Sequence, residues 1–387
     1  DLNNKLKNVN LLTDEITPVI NIKAQNLFQS VYELIVGSNN TNTSQDTSGK
    51  RRLTVGHRVM KSLLQGLNSK EGLIRGYLLG KRVFSISRST ICGNSSFAVD
   101  QIGMPLSFAQ TMQVEETVQE YNIEYLTTFL LNGRKQYPGC SYIIRKSTGR
   151  RYEIGNLHEF HLEIGDIIYR DCIDGDIAYF TRQPALKKGS INCHYIVVMR
   201  DPTVLTLQMN VLACEAYNAD FDGDQMNIWV VNKPGARIEA SILSHISNTF
   251  INPQNAHPQN GQVLDSTIGG YFMTKSKTRA SQFAVMSLFS GINSPSITKK
   301  EYTGREIISL LLRNTPIELS KTPKSFDKIH NMFVKYDQDE VKTVIKNGEM
   351  LSGVLDKNIF GVGATGGIFH VISREYGSRS ALDSLFE

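Results

Sequence analysis

The sequence has little cysteine and no long apolar run. Its 387 residues include five scattered cysteines, none in a C-x-x-C pair, so neither a disulfide framework nor a structural zinc site is indicated. No apolar stretch approaches the roughly 18 residues needed to cross a bilayer. The opening DLNNKLKNVN lacks the basic and apolar regions of a signal peptide. These absences predict a soluble intracellular protein.

An initiator methionine is also missing, because the sequence begins at Asp1, and this suggests a fragment or a processed chain. With 40% hydrophobic and 20% charged residues, the composition is that of a globular protein and excludes a disordered or fibrous chain. At about 150 residues per domain, the length predicts two or three domains.

The net charge of +5 is unevenly distributed along the chain. Residues 50–88 carry ten basic side chains and one acid, a net charge of +9, so the remaining 32 basic and 36 acidic residues give −4. Such a block is typical of a surface that binds a polyanion, because each Lys or Arg near a phosphate releases condensed counterions. A merely solvated basic face is the alternative, and charge alone does not separate the two.

The periodicity of the apolar residues changes along the chain. Helical spacing predicts a helix from about Lys23 to residue 36, and residues 37–49, which contain no apolar side chain, are predicted to form a mobile loop. From Lys81 to about Ile228, short β-rich runs between turn residues predict a barrel or a compact β domain. The runs are Arg82–Ser87, Ser141–Ile144, Asp166–Tyr169, Ile177–Phe180, His194–Met199 and Val204–Leu207. Helical periodicity returns beyond Gly235, most clearly at Ile307–Leu312.

Three carboxylates alternate in the segment YNADFDGDQMN. Asp220, Asp222 and Asp224 would lie on one side of an extended or tightly looped backbone, and Gly223 allows the turn to close. Adjacent anions repel one another unless a cation lies among them, and hard oxygen ligands favour Mg²⁺ or Ca²⁺. An acidic surface turn is the alternative interpretation.

An EF-hand does not fit this spacing. With Asp220 at the first position, the required glycine would fall at Gln225 and the bidentate glutamate at Val231. Mg²⁺, which needs few protein carboxylates and commonly clamps phosphates, is the expected ion.

Two further signals are weak. The segment Gly361–Gly366 satisfies G-x-G-x-x-G, but the residues before it make a poor strand, so we expect a glycine turn preceding a helix. His158 and His161 have i, i+3 spacing and not the i, i+4 spacing of a zinc-protease helix, so a surface turn is expected there. The other histidines have no identifiable partner in the sequence, and no role is predicted for them.

With its flanks included, Asn218–Asp224 (NADFDGD) resembles the catalytic signature of the largest subunit of multisubunit DNA-dependent RNA polymerases. Other segments resemble the same family in the same order and extend over most of the chain, as would a central portion of such a subunit. They are Lys70–Val83, Ser87–Ile91, Asn132–Gly133, Tyr137–Gly139, Gly175–Asp176, Arg182–Pro184, Ser190–His194, Ile251–Asn255, Gly261–Asp265, Gly348–Asp356 and Gly366–His370.

The resemblance implies a mixed α+β, multidomain chain with a double-psi β-barrel active-site domain flanked by helical segments. Residues 1–49 would be a helical clamp-core segment with a lid-like or rudder-like loop. Residues 50–275 would hold the basic template-facing segment and the barrel, and residues 276–387 the pore domain and the start of the funnel.

The resemblance also implies the chemistry. Asp220, Asp222 and Asp224 would be the catalytic residues and would hold one Mg²⁺, with a second ion arriving with the nucleoside triphosphate, for template-directed transfer of nucleotides to the RNA 3′ end. Arg182 and Asn218 would contact the sugar hydroxyls of the incoming nucleotide, and Pro184 would shape that pocket. Contacts to the phosphates of the template strand and the RNA:DNA hybrid are implied for Lys70, Arg75, Lys81, Arg82 and Arg88.

Activity would require a multisubunit complex with the second-largest subunit and smaller subunits, a DNA template, the RNA:DNA hybrid and nucleoside triphosphates, but no membrane. The location would be the nucleus for a cellular enzyme, and the host cytoplasm or the virion for a viral one. Two alternatives stay open: an RNA-dependent RNA polymerase of the silencing type, and a noncatalytic scaffold subunit that keeps the fold.

Two departures from the family pattern indicate a divergent lineage, such as that of a large DNA virus. Lys187 stands where the family usually has His, and Gln225 replaces the Glu common in eukaryotic enzymes. Neither position is a metal ligand in the family.

Overall fold

The computed structural model describes residues 20–29, 31–32, 34–36, 54–55, 58–59, 62–154, 160–290, 296–323 and 338–386. The chain divides into two units, Asp1–Phe84 and Ser85–Glu387. Within the described ranges, none of the helices combines the length and the apolar character needed to cross a membrane.

The described part of the first unit is mainly helical. Residues 20–29, 31–32 and 34–36 are helical, as the apolar spacing predicts, whereas the predicted loop at 37–49 lies outside the described residues. Ser62 caps the helix Leu63–Asn68 by accepting a hydrogen bond from the Gln65 backbone N–H. The unit also contains the paired strands β1 (Thr54–Val55) and β2 (Arg58–Val59) and the π-helical turn Ile74–Leu78.

A closed barrel forms the centre of the second unit. Its strands are β3 (Ile86–Gly93), β4 (Gln101–Pro105), β9 (Ile177–Thr181), β10 (Ile191–Met199), β11 (Leu207–Met209) and β12 (Gln225–Val230). They close in the order β10-β4-β11-β3-β12-β9, with β4 parallel to β10, β3 parallel to β11 and the other pairs antiparallel. This closed six-stranded barrel, with flanking helices, confirms the mixed α+β chain and the double-psi β-barrel implied by the resemblance.

Side chains alternate across the barrel wall as the period of a β-strand requires. Ala178 and Phe180 of β9 are buried, and so are the alternating residues Met226, Ile228 and Val230 of β12. These apolar residues belong to the largest hydrophobic core of the described chain.

Two of the predicted strands are displaced from their predicted positions. The run Arg82–Ser87 was predicted to begin a strand, but β3 begins at Ile86 because Ser85 has a positive φ of 60° and Phe84 is 95% exposed. The run Val204–Leu207 was predicted to form a strand, but β11 begins only at Leu207. Leu205 is exposed, and the Asp201 side chain accepts a hydrogen bond from the Thr203 backbone N–H, which forms a turn before the strand. The other four predicted runs coincide with strands.

A four-stranded antiparallel sheet is inserted between β4 and β9. Its order is β5-β8-β6-β7, and its strands are β5 (Gln113–Thr117), β6 (Cys140–Ile144), β7 (Arg151–Glu153) and β8 (Ile167–Asp171). The helix Ile123–Asn132 packs Leu126 and Phe129 into a separate core with residues of this sheet. The helix Leu106–Thr111 connects β4 to β5.

Helices and short strands alternate after the barrel. The helices are Pro234–Leu243, Asp265–Met273, Gln282–Leu288, Gly304–Leu311, Lys357–Phe360, Ile368–Tyr376 and Ser378–Phe386. The strands are β13 (Arg279–Ser281), β14 (Glu301–Thr303), β15 (Leu319–Lys321), β16 (Thr343–Lys346) and β17 (Glu349–Ser352). Short 3₁₀ turns lie at Lys188–Ser190, Val211–Ala213, Ile246–Thr249, Leu312–Asn314 and Gln338–Glu340. The helix at 304–311 matches the predicted periodicity, and Gly361–Gly366 is the glycine turn expected before a helix.

Candidate active site

The three aspartates lie on a loop between a short helix and a barrel strand. The helix Cys214–Tyr217 ends at Asn218, which is left-handed with φ 51° and ψ 48°, a conformation that Asn tolerates better than most residues. The loop turns again at Gly223, whose φ of +116° disfavours any residue with a Cβ. Strand β12 follows directly, so both ends of the loop are joined to regular structure.

The loop brings the three carboxylates together. One oxygen from each of Asp220, Asp222 and Asp224 lies within 4.8 Å of the others. The first two side chains are exposed and the third is partly buried. The close approach of Asp222 is the main reason why the pKa of Asp220 is raised. Three hard oxygen donors that repel one another fit a divalent cation such as Mg²⁺.

Arg182 makes a two-point ion pair with the last aspartate. Its Nε donates to Asp224 Oδ2 at 2.7 Å and its Nη2 to Oδ1 at 3.4 Å. This hydrogen bonding holds the pKa of Asp224 below its usual range and raises the pKa of Arg182. The register explains the contact, because Thr181 of β9 lies opposite Asn227 of β12. This contact was not predicted from the sequence.

Strand β3 supports the loop from another side. The Ile91 backbone N–H donates to the Asp224 carbonyl oxygen at 3.0 Å. The Phe221 ring packs so closely on Gly93 that a Cβ there would lie 3.0 Å from Phe221 Cε2. Within the loop, the Asp220 backbone N–H donates to Asp224 Oδ2 at 3.4 Å. The positions of the aspartates therefore depend on packing against the barrel as well as on the loop sequence.

The other two predicted nucleotide-pocket residues lie close in sequence to the triad and to Arg182, respectively. Asn218 is exposed at the start of the loop, and Pro184 is exposed two residues after Arg182, following a cis peptide bond. Lys187, which stands where the family usually has His, donates from Nζ to the Glu215 carbonyl oxygen at 3.1 Å. The segment after Pro184 is thereby attached to the helix that leads into the triad loop.

All five basic residues predicted to contact nucleic acid are exposed: Lys70, Arg75, Lys81, Arg82 and Arg88. The first four belong to the first unit, and Arg88 lies on β3 opposite Asn227 of β12. Exposure leaves these cations available to phosphates, and their contact with nucleic acid stays a prediction.

Two buried polar residues, His194 and Tyr217, were not predicted from the sequence to have a role. The His194 side chain lies inside the barrel, and its Nε2 is within hydrogen-bonding distance of the Tyr217 hydroxyl at 2.5 Å. No partner could be identified for these histidines from the sequence, but the structure gives one to His194 and also to His245, His257 and His370. The available signal was a histidine in the middle of the apolar strand β10.

A cleft of about 720 Å³ adjoins the triad loop. Its lining includes Asp220 and Phe221 of the loop, and Leu264, Ile268 and Lys357. The cleft places open, mostly apolar space directly beside a cluster of negative charge.

Comparison with known proteins identifies the family. The family model "RNA polymerase Rpb1, domain 2" matches residues 80–246, and "RNA polymerase Rpb1, domain 3" matches residues 249–386. A DNA-directed RNA polymerase RPB1 homolog of African swine fever virus is 43% identical over 374 residues, covering 94% of this chain and 26% of the viral protein.

Cellular relatives match as well. The DNA-directed RNA polymerase subunit Rpo1N of Thermococcus celer is 32% identical over 98% of this chain and 45% of its own length. The DNA-directed RNA polymerase III subunit rpc1 of Dictyostelium discoideum is 34% identical over 82% of this chain and 23% of its own length. The chain thus spans about a quarter to a half of these relatives. The two consecutive domain matches, over residues 80–246 and 249–386, together with relatives 32–43% identical over most of the chain, show that the chain belongs to the family of RNA polymerase largest subunits.

Proposed function

We propose that this chain supplies the catalytic aspartates of a DNA-directed RNA polymerase. The observation that carries the proposal is the convergence of Asp220, Asp222 and Asp224 within 4.8 Å on a loop fixed to the barrel. When bound there, Mg²⁺ would lower the pKa of the RNA 3′-hydroxyl and stabilise developing negative charge, with a second ion accompanying the nucleoside triphosphate. The chain's part is to hold three oxygen ligands at fixed spacing.

Arg182 and Asn218 are proposed to bind the ribose of the incoming nucleotide. The guanidinium has five N–H donors, of which Asp224 engages two, so donors remain for a sugar hydroxyl. The ion pair with Asp224 also restrains the guanidinium beside the triad. Pro184, two residues further on, would limit the conformations of the pocket wall.

The partners are proposed from the same family relationship. The other wall of the active site would come from the second-largest subunit, and smaller subunits would complete the complex. Exposed Lys70, Arg75, Lys81, Arg82 and Arg88 would contact phosphates of the template and of the RNA:DNA hybrid, positioning nucleic acid without reading its sequence. Residues 276–387 would form the pore domain and the start of the funnel.

Substitution of a triad aspartate tests the catalytic assignment. In the assembled polymerase, Asp222→Ala should lower nucleotide addition on a DNA template by more than the roughly 100-fold typical of losing an outer-shell partner of a metal site. Assembly and DNA binding should be retained, because Asp222 is exposed and not part of the core. Asp339→Ala, which replaces another exposed aspartate, should behave as wild type.

Two outcomes would contradict the proposal. Wild-type activity of the Asp222→Ala complex would indicate a noncatalytic scaffold subunit. Nucleotide addition that occurs on RNA templates but not on DNA templates would indicate an RNA-dependent enzyme.

A further inference from the structure

Tyr217 is the last residue before the triad loop, and its side chain is buried. Only 2% of the residue is exposed, although Asn218 beside it is exposed. The helix that ends at Tyr217 has only four residues, so its own hydrogen bonds hold the loop weakly. The position at which the loop begins therefore depends on what surrounds the Tyr217 ring.

Three aromatic rings pack around one another at this point. The Phe180 ring meets the Tyr217 ring edge to face, with centroids 5.6 Å apart and planes at 87°. The His194 ring lies 6.0 Å from Phe180 at 81°. Phe180 comes from β9, two residues before Arg182, and His194 comes from β10, so the loop is tied to two barrel strands.

One hydrogen bond closes this arrangement. Burial lowers the pKa of His194 to about 3 and raises the pKa of Tyr217, so at neutral pH the imidazole is uncharged and the phenol keeps its proton. The Tyr217 hydroxyl can therefore donate to His194 Nε2. The Asn192 side chain also lies beside the Tyr217 hydroxyl, but His194 Nε2 would lose its donor if the hydroxyl were removed, so the buried contact favours one geometry.

We propose that Tyr217 and His194 are positioning residues that set the spacing of the Asp220, Asp222 and Asp224 carboxylates from behind the loop. The inference rests on the proposed function, since it assigns these residues to the same metal site. Neither side chain reaches the metal ligands. Their effect is exerted through the backbone at Asn218, where the chain must enter a left-handed conformation.

The substitution Tyr217→Phe removes only the hydroxyl group and leaves the ring packing in place. In the assembled polymerase, the Mg²⁺ concentration for half-maximal activity should rise by about tenfold, the lower end of the range for outer-shell partners of a metal site. Activity should recover at saturating Mg²⁺. A second measurement replaces Mg²⁺ with Fe²⁺ and follows hydroxyl-radical cleavage of the chain at the triad loop. At low Fe²⁺ concentration, this cleavage should be weaker in Tyr217→Phe than in the wild type. The measurement does not depend on catalysis.

Tyr302→Phe is the matched control. Tyr302 is also buried, and its hydroxyl accepts hydrogen bonds from the Thr298 and Lys299 backbone N–H groups in a separate core. This variant should keep wild-type Mg²⁺ dependence. If Tyr217→Phe also keeps it while Asp222→Ala is inactive, the positioning role is refuted and the proposed function stands. If Asp222→Ala is active, the proposed function itself fails.

A double substitution tests whether the two residues act as one unit. His194→Gln should raise the Mg²⁺ requirement much as Tyr217→Phe does, and the double variant should be no worse than the more affected single variant. Additive effects would show that the residues act independently and would overturn the pairing.

Discussion

At the scale of single residues, Arg182 and Asp224 form the closest charged contact of the triad loop. Each side chain is about a quarter exposed or less, 24% and 21%, so the pair is screened and contributes modestly to stability. Its importance is geometric, because the two-point contact orients both the guanidinium and the carboxylate. Lys at this position could keep the charge but not the fork-shaped geometry.

Discrimination between ribose and deoxyribose should depend on this guanidinium. For Arg182→Ala in the assembled polymerase, we expect the ratio of kcat/KM for ribonucleotides over deoxyribonucleotides to fall by about 10- to 100-fold, the equivalent of one hydrogen bond to a charged group. Parallel kinetics with each nucleotide measure the ratio. Arg200→Ala, at an exposed arginine 3.6 Å from Asp174, is the control and should leave the ratio unchanged. An unchanged ratio in Arg182→Ala would contradict its proposed contact with the sugar.

At the scale of elements, a buried ion network joins the inserted sheet to β9, the strand that Arg182 directly follows. Arg170 of β8 donates from Nη1 to Asp176 Oδ2 at 2.7 Å, and from Nε to Glu116 of β5 at 2.7 Å. Asp176 immediately precedes β9, and Arg237 of the helix Pro234–Leu243 lies 3.7 Å from it. Sheet, barrel and helix therefore meet at a single carboxylate.

Breaking this network should destabilise the fold. Asp176→Ala leaves the Arg170 guanidinium buried without its main partner, and we expect the free energy of unfolding to fall by about 3–5 kcal/mol. Glu153→Ala, which removes the exposed partner of Arg151 in the same sheet, should cost no more than about 1 kcal/mol. Urea unfolding of the variants measures both values. Equal costs would show that the buried network contributes no more than a surface pair.

At the scale of the whole molecule, charge is separated along the chain. The segment 50–88 carries +9 and the remainder −4, and the cations of this segment that the structure describes with their side chains are exposed. Exposure is necessary for phosphate contact, but a solvated basic face would show it as well. The dependence of nucleic-acid binding on salt distinguishes the two.

The double variant Arg75→Ala with Arg82→Ala should bind DNA more weakly in the assembled polymerase. If each arginine contacts one phosphate, the slope of log K against log salt concentration should become shallower by about two units. Arg313→Ala with Arg374→Ala, an equal change of charge at exposed positions outside the segment, should not alter the slope. An unaltered slope in the first variant would favour the solvated face.

Much of the site was predictable because its signal is local. Aspartates that alternate around Gly223 form a short motif, and alternation places their carboxylates on one side of an extended or tightly looped backbone. Contacts between residues distant in sequence were not predictable. Arg182 contacts Asp224, 42 positions away in sequence, only because β9 pairs with β12. Strand β3 begins later than predicted because Ser85 has a positive φ, which the apolar pattern does not reveal.

The sequence alone determined the family, the aspartate triad and the basic segment, because each depends on residue types at short spacing. The tertiary structure decided how the triad loop is held. Barrel closure places Arg182, Phe221 and the Tyr217–His194 pair around it, and strand register sets the distances among them. The physical reason is that register and burial arise from pairings between distant segments, whereas a motif records only neighbouring residues.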